Sequence, residues 1–182
     1  MDVLEFHDGG EWQSWLKTRH EQNSEAWLRI AKRHAALELI NIVDAGDVGL
    51  CFGWIDGQRK SYDELSFAQR YSPRRARSPW SQVNVERVEA LLIAGRMEPA
   101  GVAEMEQAKA DGRWSAAYAP QRSARPPAEL LESLALRPLA LSAFEDLPRS
   151  EKYLLMLPLL KAYTPKGKET ALARIMSRLV QS

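Results

Sequence analysis

Apolar positions recur with helical spacing through most of this chain and with strand spacing in little of it. Trp12, Trp15 and Leu16 share one helical face, and Asp8 with Glu11 has the spacing of a capping box, so a first helix is expected from about Asp8. Leu28 and Ile30 alternate with Arg29 inside Ala26–Lys32, which predicts a strand. Asn41 is placed to cap a helix running toward Phe52, although Gly46 and Gly49 inside it each cost about 1 kcal/mol relative to Ala. Ser78-Pro79 puts Ser at the N-cap and Pro at N1 of a helix carrying Val85, Val88 and Leu92 and ending at Gly95. Pro99 opens another, with Val102 and Met105 inward and Asp111-Gly112 as its stop.

Residues 113–127, with Pro120, Pro126 and Pro127, read as a connector. Helices are then expected over 128–136, 138–146 and 150–161, with Pro158 kinking the last near Leu157. A final helix from Thr164-Pro165 carries Leu172, Ile175, Met176 and Leu179 on one stripe. The expected fold is α+β and predominantly α-helical: a single compact domain with a small sheet in the N-terminal half. Residues 1–115 form its core, and 126–182 form a C-terminal helical segment packed on the same domain.

Composition changes this picture little, and charge changes it locally. Of 182 residues, 45% are hydrophobic and 27% charged, ordinary for a globular protein, and the formal net charge is +1. Residues 58–80, however, hold six Lys+Arg against two Asp+Glu, a local +4 that leaves −3 for the remainder. A single cysteine, Cys51, excludes an internal disulfide and a Cys-rich zinc site. His7, His20 and His34 are scattered, so no metal is expected. No P-loop, G-x-G-x-x-G or G-x-S-x-G motif is present, so no cofactor is expected either. The acidic start Met1-Asp2-Val3-Leu4-Glu5 lacks a secretory n-region, and no apolar run approaches the roughly 20 residues of a membrane helix. The expected location is cytoplasmic, with no membrane span.

Candidate chemistry concentrates in residues 50–80. Asp56-Gly57 has the residues of a turn, and the stretch after it reads as a cationic, aromatic-rich loop. Arg74, Arg75 and Arg77 precede the expected helix start at Ser78, where guanidinium forks and free N–H groups suit phosphate or carboxylate. Trp54, Tyr71 and Trp80 would stack on a planar part of such a ligand or on the guanidinium groups. With Asp56, Arg59, Ser81 and Asn84 these form the candidate binding site. Three functions fit: a binder of an anionic small molecule or phosphate-bearing ligand, a nucleic-acid-binding module, or an enzyme using Asp56 or Cys51. The competing structural account has the arginines bridging to the chain's own carboxylates, Asp56 serving a turn and Cys51 buried.

The runs LCFGWIDGQRK, RYSPRRARSPWSQVNVERVEALLIAGRMEPAG and KADGRW resemble the YdeI/OmpD-associated family, the bacteriocin-protection-like proteins. The similarity extends from the tryptophan-rich start to the C-terminal helices. Gly46, Gly49, Pro158 and Ala171 depart from the family pattern. The resemblance implies a mainly helical α+β fold and a protective, stress-linked role, with a protein partner among its forms. It supplies no catalytic residues. Its matching positions are Cys51, Gly53, Trp54, Asp56, Gly57, Arg59, Arg74, Arg75, Trp80, Ser81 and Asn84.

Overall fold

The computed structural model describes residues 2–180. It is α+β and predominantly helical, with one four-stranded mixed sheet. The chain divides into two compact units. The first runs to Ser78 and includes Glu86–Ala110; the second comprises Pro79–Val85 and the chain from Asp111. The expected segments 1–115 and 126–182 differ from these chiefly in that Pro79–Val85 groups with the second unit.

In the first unit, β1 (Val3–Leu4), β2 (Ala26–Ala31), β3 (Trp54–Ser61) and β4 (Ser66–Pro73) lie in the order β1-β2-β4-β3, with β1 parallel to β2 and the other pairs antiparallel. Helices α1 (Gly9–Arg19), α2 (Ile42–Cys51) and α4 (Pro99–Ala110) accompany them. The predicted starts of α1 and α2 are present. Asp8 accepts from Glu11 N–H at 3.0 Å, and Asn41 accepts from the N–H groups of Val43 and Asp44. Gly49 in α2 is explained by a close approach: a Cβ there would stand 3.3 Å from the Tyr71 ring.

Strand alternation sorts the sheet into two faces. Leu28 and Ile30 pair with Gln69 and Phe67, and Ala26 with Tyr71, on one face. Helix α1 covers this face, since the Trp12 ring lies 5.9 Å from Tyr71 and 6.1 Å from Trp54. The opposite face carries Trp27, Arg29, Lys60, Ala68 and Arg70.

Residues 54–73 correct two expectations. They form a β-hairpin rather than a loop, and Asp56-Gly57 lies within β3 at a β-bulge rather than at a turn. The register steps from Asp56 opposite Tyr71 to Arg59 opposite Gln69. The buried Gln69 amide donates to the carbonyls of Gly57 and Gln58 at 3.1 and 3.3 Å, supplying the hydrogen bonds that the bulge removes from the ladder. The true turn is at 62–65, where Asp63 Oδ1 accepts from the N–H groups of Leu65 and Ser66 and from the Ser66 hydroxyl.

Helix α3 (Gln82–Ile93) starts four residues after Ser78, a further correction. Ser78 instead closes a turn: its N–H donates to the Arg75 carbonyl at 2.8 Å, and its hydroxyl accepts from Arg75 N–H at 3.2 Å. In the second unit, α5 (Ala128–Ala135), α6 (Pro138–Asp146), α7 (Arg149–Leu160) and α8 (Pro165–Val180) enclose a core of Leu130, Leu134, Phe144, Leu159 and Ile175. Pro158 sits within the last turn of α7. No helix among the described residues is long and apolar enough to cross a membrane.

Candidate functional site

The aromatics predicted to stack on a ligand are inside the protein. Trp54 is 1% exposed, Trp80 2% and Tyr71 fully buried. Burial foremost, with the nearby Asp56 carboxylate, pushes the Tyr71 phenol well above its usual range. Its hydroxyl has no hydrogen-bond partner among the described residues. Arg74 is buried as well. Arg59 lies 4.2 Å above the Phe67 ring and donates to Gln69 at 3.1 Å. Arg75 and Arg77 are exposed at the 75–78 turn, and Asp56 is exposed on β3. Among the described residues neither Arg75 nor Arg77 is in an ion pair, whereas Arg70 of the same basic stretch bridges to Glu25 at 2.6 Å. Trp80, Ser81 and Asn84 belong to the second unit, where the Ser81 hydroxyl accepts from Asn84 N–H at 3.2 Å in the first turn of α3.

Cys51 is 3% exposed, and burial pushes its thiol up to about 11, only partly offset by Arg96. The thiol therefore stays protonated near neutrality and is a poor nucleophile. Among the described residues no three His, Cys, Asp or Glu side chains are grouped to hold a metal ion.

What the sheet does assemble is a concave surface of about 870 Å³ to which all four strands contribute. Leu4 of β1, Trp27 of β2, Lys60 of β3 and Arg70 of β4 line it, with Trp15, Asn23, Glu25 and Gln58 around them. Glu25 organises this group. Its Oε2 accepts from Arg70 Nε at 2.6 Å and its Oε1 from the Trp27 indole N–H at 3.1 Å. These hydrogen bonds, Arg70 first and Trp27 second, hold its carboxyl below the usual range. Glu25 is thus held as an anion by its two hydrogen bonds.

The Glu25 contact engages only Nε of Arg70; the two terminal guanidinium nitrogens have no hydrogen-bond partner among the described residues. Lys60 Nζ lies 4.7 Å above the Trp27 ring, close enough to Glu25 to help hold its carboxyl low, and Asp2 lines the hollow as a second carboxylate. Two cations and two carboxylates, Asp2 and Glu25, therefore meet in one hollow beside the edge of the Trp27 indole, which is 7% exposed, with the side-chain amides of Asn23 and Gln58 nearby. Such a set suits an anionic group attached to a flat one. Sequence inspection missed these residues because they lie on three strands and meet only through the sheet register. The one local signal was the alternation of Leu28 and Ile30 about Arg29, which marks the strand that carries Trp27.

No curated protein and no solved structure matches the chain. Residues 4–104, which include every residue of this hollow except Asp2, match the family described as Domain of unknown function (DUF8412). The match spans more than half of the 182 residues, and the chain belongs to that family.

Proposed function

We propose that the first unit is a binding module for a small ligand that joins an anionic group to a planar one, held in the hollow lined by its four strands. The observation that carries this is the convergence of Trp27, Lys60 and Arg70 in one hollow of about 870 Å³, with Arg70 and Trp27 both positioned by Glu25. The anionic, planar chemistry is the one inferred from the basic-aromatic stretch 54–80; within it the weight shifts from Arg74, Arg75 and Trp80 to Lys60 and Arg70, joined by Glu25 and Trp27.

The rival functions find less support. A nucleic-acid surface needs an uncompensated row of cations, whereas Arg29 on this face is paired with Glu5 and Asp63, and Arg70 with Glu25. An enzyme needs a group tuned to react near neutrality, and neither the Cys51 thiol nor Glu25 is so tuned. A protective role of the kind the family resemblance implies would then be indirect, through the bound anion or a protein partner.

Quenching of tryptophan fluorescence by planar anions (nicotinate, adenosine monophosphate, naphthalene-2-sulfonate) tests the proposal. At least one should quench saturably. Lys60→Glu should weaken that binding by about tenfold or more, the scale of one charged hydrogen bond. Arg75→Ala should leave it unchanged. Failure of all three probes to saturate, or indifference to Lys60→Glu, contradicts the proposal.

A further inference from the structure

The near-neutral total conceals an uneven division of charge. The second unit holds 11 Lys+Arg against 7 Asp+Glu, a net +4, while the first holds 14 against 17, a net −3. Part of the second unit's excess lines one groove, about 520 Å³, between the end of α7 and the first half of α8. Its charged residues are Lys161, Lys166 and Arg174, and no carboxylate lines it.

Among the described residues none of these three cations is in an ion pair. Lys161 Nζ rests 5.2 Å from the Tyr118 ring centroid, an interaction that leaves its charge uncompensated. Lys168, on the same helix but outside the groove, is by contrast paired with Glu129 at 3.2 Å. Glu169 does not line the groove, but it lines an adjoining depression together with Lys166, Thr170 and Arg174. Lys166, Thr170 and Arg174 follow each other at helical i, i+4 spacing, so both cations lie along one stripe, with α-carbons about 12 Å apart. Thr164, at the head of α8, accepts from Gly167 N–H at 3.1 Å and keeps its own hydroxyl proton to donate. The positive end of the α8 dipole adds to the same field.

We infer that this groove is a second binding site, specific for a small ligand carrying a diphosphate or triphosphate group. Three separated cations match several phosphoryl charges better than a single carboxylate. The Arg174 guanidinium supplies a bidentate fork, and the two lysines supply point charges. The site lies outside the stretch matched by the family and is independent of the sheet-face hollow.

Isothermal titration of the full chain with inorganic pyrophosphate at low ionic strength tests it. Saturable one-to-one binding is expected. Lys166→Ala and Arg174→Ala should each weaken it by about tenfold to a hundredfold, with melting temperatures close to the parent's. Arg125→Glu, an exposed position outside the groove, measures the general effect of net charge and should weaken binding less than threefold. Absence of saturable binding, indifference to both alanine substitutions, or an equal loss in Arg125→Glu overturns the inference.

Discussion

At the scale of single residues, stability rests on a few positions with no room to change. Gly101 in α4 is buried, and a Cβ there would collide with the backbone carbonyls of Cys51 and Leu50. Backbone, unlike a flexible side chain, cannot swing aside. Gly101→Ala is therefore expected to destabilise the fold by at least about 2 kcal/mol in denaturant titration; an unchanged midpoint would show that α4 can move away. Asp63 gives a pH signature. The Ser66 hydroxyl foremost, then the Leu65 N–H and Arg29, hold its carboxyl near about 2 against the ordinary 3.8. A depressed folded-state value contributes stability that is complete above pH 3.8 and is lost as pH falls through about 2. Asp63→Asn should thus flatten the acid limb of a stability–pH profile between those values. An identical profile in parent and variant would remove Asp63 from that role.

At the scale of elements, the final helix makes a graded prediction. Ile175, 2% exposed, faces the core of the second unit, while Leu172 is only partly buried and Ala171 takes the inner position beside it. Ile175→Ala should cost about 2–5 kcal/mol, and Leu172→Ala distinctly less; equal costs would mean that Leu172 is as deeply packed. The helices were legible in the sequence wherever a local device announces them, as Asp8, Asn41 and Thr164 do. Ser78-Pro79 misled because its competitor is distant. The Trp80 carbonyl accepts from Tyr118 N–H at 3.0 Å, and Gln82 N–H donates to the Tyr118 carbonyl at 2.9 Å. That bridge keeps the backbone extended through Ser81, so α3 can begin only afterwards. Asp56-Gly57 misled because Gln69, twelve and more residues on, satisfies the bulge carbonyls that the dipeptide alone would have assigned to a turn.

At the scale of the whole molecule, the basic excess read in residues 58–80 is dispersed by folding. Arg59 stacks on Phe67, Lys60 lies over Trp27, Arg70 binds Glu25 and Arg74 is buried, while Arg75 and Arg77 stand exposed at their turn. The candidate site is instead assembled across strands, from a glutamate at 25 to an arginine at 70, and no window of sequence contains it. A 15N NMR titration of the full chain with the tightest planar anion tests this relocation most directly. Each of the six tryptophans carries an indole N–H. The account predicts that the Trp27 indole and the amides of Gln58, Lys60 and Arg70 shift together and saturate, while the amides of Arg75 to Ser78 stay in place. Shifts confined to Arg75–Ser78, with the Trp27 indole unmoved, would contradict it and return the ligand to the arginine turn.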